Sequence, residues 1–512
     1  MLSTGIQDLA LELVQEIVLY ASHGWDNSPS KADLSQLRLV SRPFKAAADP
    51  FLFSEIVFDF IRRPLHGVIE QLNDLALQRT SAYRYIRTLK IESTEVQLSG
   101  PIAQGKYGFL LMHALKSLRN VRSIRWTLDR FEGIYTVLDG IVDLPHLEEL
   151  YFEFSTLPTL WQTTDMIVLR RFAHLQVVSF RGRNLSSPLA ASFIQQLRRI
   201  NAANQSLRGL EIDFTDMLAD EETYPGFCIL HEIVKDVPRA TPLKLRHLRV
   251  QGWNFRLDSI TVPHLQCLSS LNISSMKDTG PDQQAHVWHG MIKANIHLRK
   301  ISTGVVSQPL IHYLTSYTGL EHLTITSRKM RYEFVDDSDA SEVLWAELCQ
   351  SALPAHKSTL KAFQMLDRSE VRHCMSLDTI AAIRACEKLE SLTITVKVDE
   401  LESPDNVRRI LITALDLPRL RTLDVDYSRP RRIGHRCQCA NARAIRQRNE
   451  KFESVFFSFD VLRDFTRSLG STQIIFNRKR YVAQVVDVED NRVQFRVESR
   501  LARSGKWVNP LD

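Results

Sequence analysis

A histidine and two cysteines in alternation, His435-Arg436-Cys437-Gln438-Cys439, are the residues of this chain best suited to metal chemistry. Thiolate and imidazole ligate zinc, but a structural site takes four ligands and no second cysteine pair follows. Arginines at 429, 431, 432, 436, 443, 446 and 448 surround them and would repel a cation. The same arginines suit phosphate oxygens, through contacts driven by charge and weakened by salt. No phenylalanine, tyrosine or tryptophan is interleaved to stack on bases. The segment 429–451 therefore reads as a solvated basic loop, with no metal site and no direct nucleic-acid function expected.

Catalytic spacings are missing. Neither G-x-x-x-x-G-K-[ST] nor G-x-G-x-x-G, G-x-S-x-G or H-E-x-x-H occurs. Acids, serines and histidines are plentiful, yet none forms a constellation that spacing picks out. The expectation is a protein without catalytic residues and without a cofactor.

Charge and composition narrow the class further. Of the net +6, eight Lys/Arg against one acid between 429 and 451 hold +7, which leaves the remainder at −1. The bulk of the chain is thus no general polyanion binder. Hydrophobic content of 44% and charged content of 24% are those of a globular protein. No apolar run of about 18 residues is present, so no membrane span is expected. An intracellular protein, in cytoplasm or nucleus, follows as the default, since no secretory signal is visible. Seven cysteines at 228, 267, 349, 374, 386, 437 and 439 lack framework spacing and read as reduced thiols, mostly small core residues.

The elements that would position functional groups begin with a helical module over 1–55. Residues 7–21 read as an amphipathic helix with Leu9, Leu13 and Ile17 on one face and Val14 and Val18 widening it. A loop around Gly24–Pro29 precedes a second helix over about 31–39, carrying Leu34 and Leu37. Ser41 followed by Pro43 reads as the start of a short third helix towards Ala48. Asp49-Pro50 is expected to stop it, with Phe51, Leu52 and Phe53 as an apolar plug. Glu55–Phe60 alternates and reads as a first strand.

Then one pattern recurs. L-x-x-L-x-[IVF] stands clearly at 86–91 (with Ile86 for the first leucine), 147–152, 207–212, 245–250, 268–273, 320–325, 389–394 and 420–425, and weakly at 121–126, 175–180, 298–303 and 360–365. Twelve copies spaced by about 30 residues, with helical patterns between them, describe strand-and-helix units. A single unit cannot bury its own apolar face, so neighbours must stack. The helical patterns include 68–77, 109–118, 190–200, 343–353 and 407–417. The fold class expected is α/β, an irregular leucine-rich-repeat solenoid over 56–428. Glu333, Asp336, Asp337, Asp339 and Glu342 read as an acidic loop over 333–342. Beyond the basic loop, 452–512 is expected to form a helix over 459–469 and a hairpin of 481–488 with 492–499 that caps the open end. Trp253, Phe255 and Trp288 are either a binding face or core packing.

The opening module resembles an F-box of the fungal type. The matching residues are Leu9, Leu13, Glu16 and Ile17, then Asp33-Leu34, Leu37-Arg38-Leu39-Val40-Ser41-Arg42, Phe44 and Pro50-Phe51-Leu52-Phe53. With repeats behind it, the chain resembles an F-box/leucine-rich-repeat protein. The resemblance implies docking on a Skp-type adaptor, and through it on a cullin RING ubiquitin ligase, with the repeats holding a protein substrate. It makes Leu9, Ala10, Leu13, Ile17, Leu34, Leu37, Val40 and Phe44 the positions of the adaptor interface or of the module's own core. Ala10 stands where the family usually has proline, and the loop from Ser22 to Ala32 is long. The repeats lack the asparagine expected after the third apolar position: Thr94, Ser155, Thr215, Trp253 and Ser428 stand there. The alternative reading is a repeat scaffold outside any ligase, its helical module capping the first repeat.

Overall fold

A computed structural model describes residues 9–22, 31–60, 64–92, 101–128, 134–154, 172, 174–183, 187–215, 228–273, 281–327, 338–367, 383–396, 403–427, 450, 454, 461–462, 473–476, 479–487, 492–501 and 507–508. The chain divides into two compact units, Met1–Leu245 and Arg246–Asp512. The basic segment 429–449, with His435, Cys437 and Cys439, lies outside the described residues.

The first unit opens with three helices, α1 (Leu11–Ser22), α2 (Lys31–Val40) and α3 (Arg42–Leu52). Ser41 caps α3 from extended backbone, its hydroxyl accepting from the Phe44 N–H at 3.5 Å. Pro50 does not stop this helix as the sequence suggested: it lies inside the last turn, where its missing N–H removes only one terminal bond. The helix ends at Phe53, whose N–H donates to the Asp49 carbonyl. Strand β1 (Glu55–Asp59) follows directly.

From there helix and strand alternate: α4 (Leu65–Ala76), β2 (Thr88–Glu92), α5 (Pro101–Ser117), β3 (Ser123–Leu128), α6 (Ile134–Val142) and β4 (Glu149–Phe154). The unit continues with β5 (Val177–Arg183), α7 (Ser187–Ala203), β6 (Gly209–Thr215) and α8 (Ile229–Val234). Strands β1 to β6 pair in parallel in sequence order, so that Leu89, Ile124, Leu150, Val178 and Leu210 stand in one register row. Those are the central apolar residues of five motif copies. Two positions on, Ile91, Trp126, Phe152, Phe180 and Ile212 form the next row, because alternate residues share a face. Ring centroids of Trp126, Phe152 and Phe180 lie 6.1 and 5.4 Å apart in succession. Phe193 of α7 closes on Phe180 and Phe214 edge-on at 4.8 and 5.0 Å, which locks helix to sheet.

The second unit repeats the plan with β7 (His247–Gln251), α9 (Val262–Leu265), β8 (Ser270–Ile273), α10 (Pro281–Lys293), β9 (Lys300–Thr303), α11 (Gln308–Thr315) and β10 (His322–Ser327). Next come α12 (Ser338–Glu347), a π turn over Leu348–Ala352, α13 (Leu353–Ala355), β11 (Ala362–Asp367), β12 (Ser391–Val396), α14 (Pro404–Asp416) and β13 (Thr422–Tyr427). Parallel pairing runs unbroken from β7 to β13. All twelve motif copies are strands, each beginning at the third residue of its motif, so the leading apolar residue sits in the turn before the strand. Each unit is an α/β solenoid of the leucine-rich-repeat type.

Strand β14 (Val461–Leu462) pairs antiparallel with β17, β15 (Gln473–Phe476) adds in parallel to β13, and β16 (Lys479–Asp487), β17 (Arg492–Leu501) and β18 (Trp507–Val508) complete an antiparallel edge. The hairpin thus ends the repeat run by extending the sheet through β15, a further parallel strand that carries no copy of the motif. Val461-Leu462 were expected in a helix; pairing with Arg492-Val493 overrides the local helical pattern. Residues 338–342, expected in an acidic loop, open α12. Trp253, Phe255 and Trp288 are all buried, so they are core and not a binding face. Cys349 and Cys386 are buried, and burial pushes their thiols up to about 12 and 11, away from reactivity at neutral pH. Cys228 is half-buried and Cys267 exposed, and all four are thiols rather than disulfide halves.

Candidate partner-docking surfaces

The N-terminal module closes a small core of its own. Val14, Val18, Leu34, Phe44 and Ala48 form it, with Leu9, Leu37, Ala47 and Leu52 packed against its margin. Arg38 of α2 donates from Nε to Oδ1 of the buried Asp49 in α3 at 2.6 Å, and its guanidinium lies over the Phe53 ring. The second and third helices are therefore clamped by charge as well as by packing.

The eight residues singled out in the sequence split by this core. Leu34 and Phe44 are buried in it, and Leu9 and Leu37 are half-buried against it. Ala10, Leu13, Ile17 and Val40 are exposed. The expected face of α1 is thus corrected by about one residue step: Val14 and Val18, four apart, face the core, which turns Leu13 and Ile17 towards solvent. Tyr20 continues their stripe at the next helical step and is 80% exposed. Leu11, Leu19, Tyr20, Leu39 and Phe51 are further large exposed apolar residues, outside the eight positions expected at the interface or core. Helical periodicity showed them as apolar but gave no way to tell a solvent-facing leucine from a core one.

Eight of the thirteen large apolar side chains left exposed among the described residues fall between Leu11 and Phe51. Scattered apolar exposure is normal for a protein surface; a concentration of it on one small module is the feature that makes this module a candidate docking surface.

The outward positions of the strands make a second surface, and it is polar. In the first unit Lys90 pairs with Glu55 at 2.7 Å, and the Arg125 guanidinium lies over Tyr151, 4.9 Å from the ring centroid. Glu211 accepts from Ser179 Oγ at 2.9 Å and from Arg181 Nη2 at 2.8 Å. Burial, and then the Glu149 carboxylate, push the Tyr151 phenol up to about 12. In the second unit Gln251 Nε2 donates to Asn272 Oδ1 at 3.1 Å. Burial first, and Asp426 next, raise the Asp424 carboxyl to about 6. The native state therefore binds that proton more tightly than the unfolded chain, and stability falls as pH rises between 3.8 and about 6. Asp424→Asn is expected to melt higher than the wild type at pH 7, with the gap closing at pH 4; an equal gap at both values would count against it.

No cluster of three or more metal-binding side chains occurs among the described residues, nor does any helix there have the length and apolarity to cross a membrane. No family model matches the chain, and no curated protein matches it. Among solved structures, a chain of the yeast Rad7 and Elc1 complex is 12% identical, covering 82% of this chain and 89% of that one, with a TM-score of 0.41. A leucine-rich-repeat protein of Leptospira interrogans is also 12% identical, covering 76% of this chain and 97% of that one, with a TM-score of 0.28. At such identity neither neighbour's partners transfer to the chain.

Proposed function

We propose that the chain is a two-ended adaptor: the helical module docks on a Skp-type protein, which links it to a cullin RING ubiquitin ligase, and the repeats hold a protein substrate for ubiquitination. The observation that carries the reading is the apolar surface of a module whose core is already closed without it. The F-box-like residues at Leu9, Leu13, Ile17, Leu34, Leu37, Val40 and Phe44 give that surface its partner. In this reading Leu13, Ile17 and Val40 touch the adaptor, whereas Leu34 and Phe44 hold the module together. No catalytic residue is needed from the chain.

Co-purification with a Skp-type adaptor tests it. Leu13→Ala, at an exposed position, is expected to weaken capture by about tenfold while circular dichroism stays unchanged. Leu34→Ala would instead lose capture together with the module's helices. Failure of the wild type to retain the adaptor overturns the reading.

A scaffold outside any ligase is the second reading. It is favoured by the direct passage of the module into the sheet, where the Ser54 carbonyl accepts from both the Arg87 and Thr88 N–H groups. Removal of residues 1–53 then destabilises the first unit, whereas a pure docking module leaves it folded.

A further inference from the structure

The second residue of each L-x-x-L motif stands just before its strand, and successive ones are joined by backbone hydrogen bonds into a column. In the second unit Arg299, Glu321, Lys361, Glu390 and Arg421 follow one another, each N–H donating to the carbonyl of the residue before it at 2.7–2.8 Å from Glu321 onwards. Charge alternates along this column. Glu321 lies 3.5 Å from Arg299 and 3.0 Å from Lys361, and its carboxyl is held below the usual range by Lys361 first.

The first unit breaks the rule. Its column begins Arg87, Arg122, Glu148, with the Arg122 N–H on the Arg87 carbonyl at 2.8 Å and the Glu148 N–H on the Arg122 carbonyl at 2.8 Å. Two arginines are therefore neighbours across adjacent strands, a like-charge pairing that costs stability. Among the described residues Glu148 reaches only Arg122, loosely, at 3.6 Å and with both groups substantially exposed. Arg87 has no acidic partner among the described residues.

Around this pair lies a recess of about 270 Å³. Arg84, Arg87, Arg122 and His146 line it, with Asn120 and Pro50, and no carboxylate does. Arg84, at the end of a 3-10 turn over Ser81–Arg84, is held by its neighbours without being neutralised. Its Nε donates to the Tyr83 hydroxyl at 3.1 Å, its guanidinium lies over the Tyr83 ring, and its carbonyl accepts from Asn120 Nδ2 at 2.6 Å. Asp49, the acid next to Pro50, is taken by Arg38. Three guanidiniums against Glu148 leave a surplus of two positive charges around one concavity.

We propose that this recess binds a phosphomonoester dianion. A surplus of two charges matches a group that carries close to two negative charges at pH 7. Guanidinium forks fit its oxygens in pairs, and the His146 ring adds a further N–H. The anion takes the place between Arg87 and Arg122 that a glutamate takes between Arg299 and Lys361. The site is independent of the apolar surface on α1 and α2.

The test uses the full chain, with inorganic phosphate as the probe and potassium chloride at matched ionic strength as the control. Phosphate is expected to raise the wild-type melting temperature by several degrees more than chloride does. Arg87→Glu restores the alternation seen in the second unit, so it is expected to melt higher than the wild type without phosphate and to gain nothing from it. Arg122→Gln keeps one fewer fork and is expected to weaken phosphate binding by about tenfold. A variant with the arginines of 429–448 replaced by glutamine is expected to respond like the wild type. The proposal is overturned if phosphate acts no better than chloride, if Arg87→Glu gains as much as the wild type, or if the response vanishes with the 429–448 arginines. Glycerol phosphate and a phosphoserine hexapeptide then separate the sources: equal affinity assigns a free ester, and tighter peptide binding assigns a protein-borne one.

Discussion

Asn204→Ala is expected to destabilise the first unit by roughly 2–6 kcal/mol, because it strands two buried backbone groups at once. Asn204 is wholly buried at the end of α7. Its Oδ1 accepts from the Leu175 N–H at 3.1 Å, and its Nδ2 donates to the Phe172 carbonyl. Leu175 is the leading leucine of its motif, placed in the turn ahead of β5, and neither it nor Phe172 is open to water. Each orphaned group costs about 1–3 kcal/mol, which sets the range. Asn204→Asp keeps the acceptor for Leu175 but loses the donor to Phe172 and buries a charge, so it is not a rescue. Ser206→Ala, which removes only the 3.1 Å bond from Ser206 Oγ to the Leu175 carbonyl, is expected to cost about 1 kcal/mol. Urea unfolding gives the totals, and amide exchange over residues 172–215 places the loss. Protection there equal to the wild type would refute the assignment.

The same device explains what the sequence could and could not reveal. Apolar spacing disclosed every strand from β2 to β13, since a buried parallel strand must repeat its inward residues whatever lies between. It also disclosed the helical patterns over 190–200 and 407–417, which lie in α7 and α14. It did not disclose the turns. After the third apolar position, where a leucine-rich repeat places asparagine, Trp253 puts a buried indole instead. The polar groups lie on the other side of the strand. The leading-leucine N–H is met by Asn204 at Leu175, by the Tyr313 hydroxyl at Leu298 (3.0 Å), and by His356 Nδ1 at Leu320 (3.3 Å). Three residue types at three separations share one task, so no period marks them. Strand β15 was missed for a related reason: Gln473-Ile474-Ile475-Phe476 has the inward Ile474 but no leading leucine. In the module, the resemblance and the helical spacing named the right helices. The division of Leu34 and Phe44 from Leu13, Ile17 and Val40 was illegible, because a core leucine and a docking leucine have the same hydropathy.

His356 turns this turn-locking into a pH dependence. The ring is wholly buried, packs against Tyr317 at 5.1 Å between centroids, and must be neutral at Nδ1 to accept from the Leu320 N–H. Burial lowers its pKa from 6.5 to about 4, against a small upward pull from the Leu314 carbonyl. The unfolded chain then binds the proton first as pH falls. The contribution is complete above pH 6.5 and is lost as pH falls from there to about 4, by about 3 kcal/mol in all. Buried His264, whose pKa burial also lowers, acts with the same sign. His356→Leu is therefore expected to be less stable than the wild type at pH 7, since Leu320 loses its acceptor, and much less sensitive to acid. The two stabilities converge as pH approaches 4. Urea midpoints of the second unit at pH 7, 6, 5 and 4, read through exchange of residues 320–325, measure it. A wild-type slope retained in His356→Leu would show that the acid sensitivity lies elsewhere. Thr359→Ala separates the ring's role from that of its neighbour: its hydroxyl donates to the Leu320 carbonyl at 2.9 Å and does not titrate. That variant should therefore lower stability equally at every pH and leave the slope intact.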